Sequence, residues 1–123
     1  MGSEIKVIVG DVELKGQLKD TDCAEVFEEM LPVEKAFQTW GNEFYFPITV
    51  EMELDETART EVEVGTIGYW PPGKAIALFF GETPDSTTKK PVAASDVNVI
   101  GSVEEAEKLK NVKDEEKIRI ENV

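Results

Sequence analysis

Between Thr66 and Gly81 the chain reads TIGYWPPGKAIALFFG, the only stretch where aromatics, prolines, glycines and an unbroken apolar run meet. Proline restricts the residue before it as well as itself, so Trp70 and Pro71, each followed by proline, are pushed out of the helical region. A strand, not a helix, therefore arrives at this point. Pro72-Gly73 fits the central positions of a type II turn, with proline presetting φ and glycine accepting a positive one. The apolar run Ala75 to Phe80, closed by Gly81, is too short for a typical helix and suits a strand covered on both sides. Ala75, Ala77 and Phe79 share one face and Ile76, Leu78 and Phe80 the other, a small-against-large division suited to the interior and outer cover of a tapered barrel.

Gly68 to Lys74 also spells G-x-x-x-x-G-K, the opening of a phosphate-binding loop. Such a loop aims consecutive backbone N–H groups at phosphate, ends in Ser or Thr, and leads into a helix. Here two loop positions are prolines without an N–H, Ala75 stands where the hydroxyl belongs, and a strand follows. Lys74 is read as a solvated turn lysine.

The chain has 123 residues and no histidine, which removes Ser-His and Cys-His nucleophile pairs, the usual general base near neutral pH, and the commonest transition-metal ligand. With a single cysteine, Cys23, neither a zinc site nor an internal disulfide is expected, and a reducing cytoplasm is the default location. The formal net charge of −13 sets the mean surface field against nucleic acid and anionic membranes. No apolar run approaches membrane-spanning length, and no signal-peptide pattern opens the chain. One domain over residues 1–123 can bury a single core at this length.

Glu4 to Leu18 reads as a hairpin turning at Gly10-Asp11. Asp22 is placed to cap a helix whose apolar stripe is Cys23, Val26, Phe27, Met30 and Leu31, ending at Pro32. Near its acidic neighbours, Cys23 is read as a packed, inert thiol. From Val33 a period of two returns. Gly41-Asn42 turns the chain, and Phe44 to Leu54 alternates, with Pro47 marking an edge or a bulge. Asp55 to Thr60 is a polar loop, and Gly65 suggests a bend. Glu82 to Ser95 is a long connection, functional or mobile. Val97 to Ile100 is a strand, Ser102 with Glu105 forms a capping box for a short helix through Lys110, and Lys117 to Val123 closes the chain as a strand.

The segments GYWPPGKAIALFFGETP, QTWGNEFYF and ASDVNVIG together resemble the small cyclophilin-like proteins of archaea and bacteria, a group of unassigned activity. The resemblance covers nearly the whole chain. It implies a mainly β fold, a closed barrel of about eight strands with two helices at its ends. Cyclophilins proper are peptidyl-prolyl isomerases that use an arginine to polarise the amide and surround the proline with aromatics and a histidine. Those residues do not carry over: the only arginines are Arg59, in the predicted polar loop, and Arg119, on the last strand.

Tyr69, Trp70, Trp40 and Phe80 are the candidate ligand contacts, walls of an apolar groove with a polar rim. For Phe79 and Phe80, inside a continuous strand, barrel core is the competing and favoured reading. The acidic groups Asp20/Asp22, Asp55/Glu56 and Glu104/Glu105/Glu107 lack calcium-loop spacing and read as solvated faces, so no metal and no cofactor is expected. The first functional reading is a binding module that holds a peptide or small apolar ligand without chemistry, as a monomer or small homo-oligomer. The alternative is a weak prolyl isomerase with Arg59 as its test residue, and a third reading is a subunit or scaffold in an assembly.

Overall fold

The computed structural model describes residues 3–123 and is mainly β. The hairpin pairs β1 (Glu4–Val9) with β2 (Val12–Leu18) around Gly10, whose φ of 57° a glycine adopts without strain. Ile5, Val7 and Val9 alternate into the core as their spacing requires. Helix α1 (Asp22–Glu29) follows, with Cys23, Ala24 and Phe27 buried. Its cap lies one residue before the expected Asp22: the Thr21 hydroxyl accepts from the Ala24 N–H at 3.1 Å.

The remaining strands are β3 (Val33–Ala36), β4 (Gln38–Thr39), β5 (Glu43–Pro47), β6 (Arg59–Glu61), β7 (Thr66–Trp70), β8 (Ala75–Phe79), β9 (Val92–Val103) and β10 (Lys117–Asn122). They form one sheet in the order β3-β10-β1-β2-β9-β7-β8-β5-β4, with β6 added to β9 off this path. All pairings are antiparallel. Among the described residues no ladder joins β3 to β4, so the hydrogen-bonded sheet is open where the resemblance implied closure. The two end strands are nonetheless consecutive in the chain, separated by Phe37 alone. Phe37 is where the strand changes partner: its N–H donates to the Glu116 carbonyl, and its ring lies 4.1 Å from that of Phe44. This break, and the short β6, account for more strands than the expected eight.

Strand β8 is buried along its whole length, so both of its faces are covered. The large face, Ile76, Leu78 and the adjoining Phe80, turns to the main core, where it meets Phe27, Phe44, Phe46 and Ile67. The small face, Ala77 and Phe79, forms a second cluster with Val62, Ala93 and Val97, which β6 and the first half of β9 fold over the outside of the sheet. Fully burying one such aliphatic or aromatic side chain stabilises by about 1.5–3 kcal/mol, and this run contributes to both clusters at once.

Four local expectations are corrected. Pro71–Gly73 is a 3-10 turn, and the positive φ of 49° falls on Lys74, whose N–H closes the turn onto the Pro71 carbonyl. Strand β5 stops at Pro47, so Ile48 to Leu54 crosses the end of the sheet without joining it. Ser102 belongs to β9 and caps nothing; the second helical segment is a 3-10 turn, Ala106–Asn111, entered through Glu105 at φ 55°. The connection after Gly81 ends at Pro91, because β9 begins at Val92, and it is tied down by the Thr83 hydroxyl, which donates to the Val92 carbonyl. Among the described residues no helix is long and apolar enough to cross a membrane.

Candidate functional site

Alternation along β7 decides which aromatics can line a site. Trp70 pairs with Ala75 and so shares the small outer face, while Tyr69 pairs with Ile76 and points into the core. On the outer face a cavity of about 200 Å³ opens. Trp40, Glu43, Tyr45 and Trp70 line one side, and Ala93, Ala94 and Val97 of β9 line the other.

Two of the aromatic side chains are tied by their own hydrogen bonds. The Trp70 indole N–H donates to the Ser95 hydroxyl at 2.7 Å. Its ring lies against Gly73, where a Cβ would come within 2.8 Å of Cε3 and Cζ3. Glycine is needed there for the close approach of the ring, since the turn gives the positive φ to Lys74. Tyr45 donates its hydroxyl proton to Gln38 Oε1 at 2.9 Å across the β4–β5 pair. Trp40 begins the tight turn at Gly41, its N–H donating to the Glu43 carbonyl at 2.9 Å. Trp40, Tyr45 and Trp70 are all half-buried.

The fourth wall is unlike the others. Glu43 is only 8% exposed, and its Oε1 is fully buried with no hydrogen-bond partner. Burial alone pushes its carboxyl up to about 8, so near neutral pH it holds a proton. A buried carboxyl without a partner costs stability, and such groups concentrate where a ligand completes them. Nothing in the sequence singles out Glu43, which immediately precedes the alternating run from Phe44. It lies opposite Phe79 on the small face, which is dry because β6 and β9 cover it. Nothing within QTWGNEFYF signals a cover contributed from residues 59 to 97.

Of the four candidate contacts, Trp40 and Trp70 line the cavity. Tyr69 and Phe80 do not: both are fully buried in the main core. Tyr69 spends its hydroxyl on the crossing segment, accepting from Met52 N–H and donating to the Val50 carbonyl. Phe80 packs against Phe44 at 4.5 Å. Arg59 is exposed at the start of β6, opposite Val97, and is not one of the lining residues. Arg119 is engaged elsewhere, with Glu34 and Glu121. The G-x-x-x-x-G-K stretch runs from β7 through the 3-10 turn into β8, with no helix N-terminus behind it. Among the described residues no three His, Cys, Asp or Glu side chains are grouped to hold a metal. A larger concavity, about 520 Å³, is lined mainly by exposed charges such as Glu34, Glu115 and Glu116.

The cyclophilin-like family model matches residues 3–121. The solution structure of a hypothetical protein from Archaeoglobus fulgidus superposes with a TM-score of 0.80 at 34% identity, over 99% of this chain and 95% of that one. No curated protein matches the chain.

Proposed function

The chain belongs to the cyclophilin-like family, and from that premise we propose that it is a binding module whose ligand site is the cavity between Trp40, Tyr45 and Trp70. The observation that carries this reading is the concave site itself, lined by three aromatic side chains and a buried, unpaired carboxyl. A cavity of roughly 150 Å³ accepts benzene, so about 200 Å³ fits one side chain of a peptide or one small apolar ligand. In this reading the sheet acts as a closed wall, since its end strands are continuous through Phe37.

Binding without chemistry fits the residues better than isomerisation. The lining contains no arginine, and the chain contains no histidine to stand beside a twisted amide. An NMR titration of isotope-labelled protein with an unstructured Xaa-Pro peptide tests the reading. Shifts of the Trp40 and Trp70 indole N–H signals, with peptide cis/trans exchange left at its slow uncatalysed rate, are expected. Accelerated exchange would move the assignment to an isomerase. An absent response would remove peptides as ligands.

A further inference from the structure

We propose that this cavity selects a small alkylammonium ion carrying at least one N–H, with the nitrogen placed at Glu43 Oε1 and the alkyl part against Trp40, Tyr45 and Trp70. The inference rests on the cavity being a ligand site and adds the chemical class of the ligand.

Three observations converge. First, Glu43 Oε1 is a buried acceptor with no donor, and no lysine or arginine lines the cavity to supply one. Second, three aromatic side chains share the cavity with it, and the negative face of an aromatic ring attracts a cation most strongly where water is excluded. Third, the net charge of −13 raises the local concentration of cations and lowers that of anions around the protein. Ala93, Ala94 and Val97 bring apolar side chains, which suit an alkyl chain and give a metal ion no further side-chain oxygen. A neutral ligand of the same size would bury the rings equally well but bring no charge to offset an ionised carboxylate.

Binding and protonation are then linked. The empty site holds the Glu43 carboxyl protonated, pushed up to about 8 by burial, and an arriving cation displaces that proton. The other titratable group of the lining is Tyr45, whose hydroxyl is already committed to Gln38. Affinity for an alkylammonium that stays protonated across this range therefore rises with pH, by about tenfold per unit while binding releases one proton, and levels off above about 8.

The test compares butylammonium with 1-butanol, which have the same number of heavy atoms and differ in charge, following the indole N–H signals of Trp40 and Trp70 between pH 6 and 9. At pH 8 butylammonium is expected to bind at least about tenfold tighter than 1-butanol, with only the ammonium showing the pH dependence. Glu43→Gln should bind the two probes alike at every pH, and its binding of 1-butanol shows that the cavity is intact. Equal affinity of the two probes in the wild type, or a pH-independent ammonium affinity, would overturn the inference and leave the ligand site standing. If neither probe shifts the indoles, the alkylammonium assignment is lost; the Xaa-Pro titration then decides separately whether the cavity is a peptide site.

Discussion

Tyr69 and Asn98 face each other across the β7–β9 ladder, and together they hold the segment that crosses the end of the sheet. The Tyr69 hydroxyl bonds both Val50 and Met52, while the Asn98 amide donates to the Glu53 carbonyl and accepts from the Asp55 N–H. Because β5 ends at Pro47, these side chains replace the ladder bonds that Val50 to Asp55 never form. Tyr69→Phe keeps the ring in the core but leaves the Met52 N–H and Val50 carbonyl without their partner. A loss of about 1–3 kcal/mol is expected, seen as a lower midpoint in chemical denaturation, with the Trp40 and Trp70 ligand response retained. A stability equal to wild type would show that water satisfies both backbone groups.

Gly73→Ala addresses the wall of the cavity. The added methyl would sit 2.8 Å from the Trp70 ring, so the indole must move, and with it the bond from Nε1 to Ser95. Overpacking of this kind costs about 1–3 kcal/mol. The Trp70 indole N–H signal should shift and exchange with solvent faster, and ligand affinity should fall with it. Because Gly73 has no positive φ, the substitution strains no backbone there, and the effect is specific to the ring contact.

Cys23 is buried on the inner side of α1, where the Asn98 amide reaches its sulfur at 3.6 Å. Burial pushes the thiol pKa up, the Asn98 contact lowers it, and the charge of Asp55 raises it further, with burial the largest effect. A thiol-selective reagent should therefore modify native protein only through opening of the fold, at least about a hundredfold slower than urea-unfolded protein. Rapid labelling of the native chain would show that α1 detaches easily from β9.

Much of this architecture was legible because it depends on local period. The β8 run announced a strand covered on both faces, the Glu4–Leu18 hairpin announced its turn, and the α1 stripe named Cys23 and Phe27 as inward. The closed barrel was legible only as a mainly β fold, since closure depends on one strand passing unbroken from its β10 ladder to its β5 ladder at Phe37, and no local pattern reports that. The candidate site was half legible. Trp40 and Trp70 stand out by composition, but grouping Tyr69 with Trp70 and Phe80 with them ignored the alternation that sends neighbours to opposite faces. Glu43 was invisible for a different reason. Alternation places it on the face shared with Phe79, and only the long-range fold of β6 and β9 makes that face dry.

The same burial makes Glu43 a measurable determinant of stability. In the unfolded chain its carboxyl titrates at about 4.5, whereas in the folded chain it holds its proton up to about 8. Between these values the folded state binds one more proton than the unfolded state, so raising the pH favours unfolding. The contribution is fully present below about pH 4, falls as the unfolded chain alone is ionised, and is gone once the folded carboxyl ionises above about 8. Other carboxylates in so acidic a chain titrate in the lower part of this window, so the informative quantity is the difference between wild type and Glu43→Gln. Denaturation midpoints measured from pH 5 to pH 8.5 should show wild type losing a few kcal/mol relative to the variant, at a limiting slope of about 1.4 kcal/mol per pH unit. The two curves should become parallel above about pH 8, where the folded-state carboxyl is ionised as well. Parallel curves throughout would mean that Glu43 is solvated and ionised in the native protein, and the cavity would then carry a fixed negative charge before any ligand arrives.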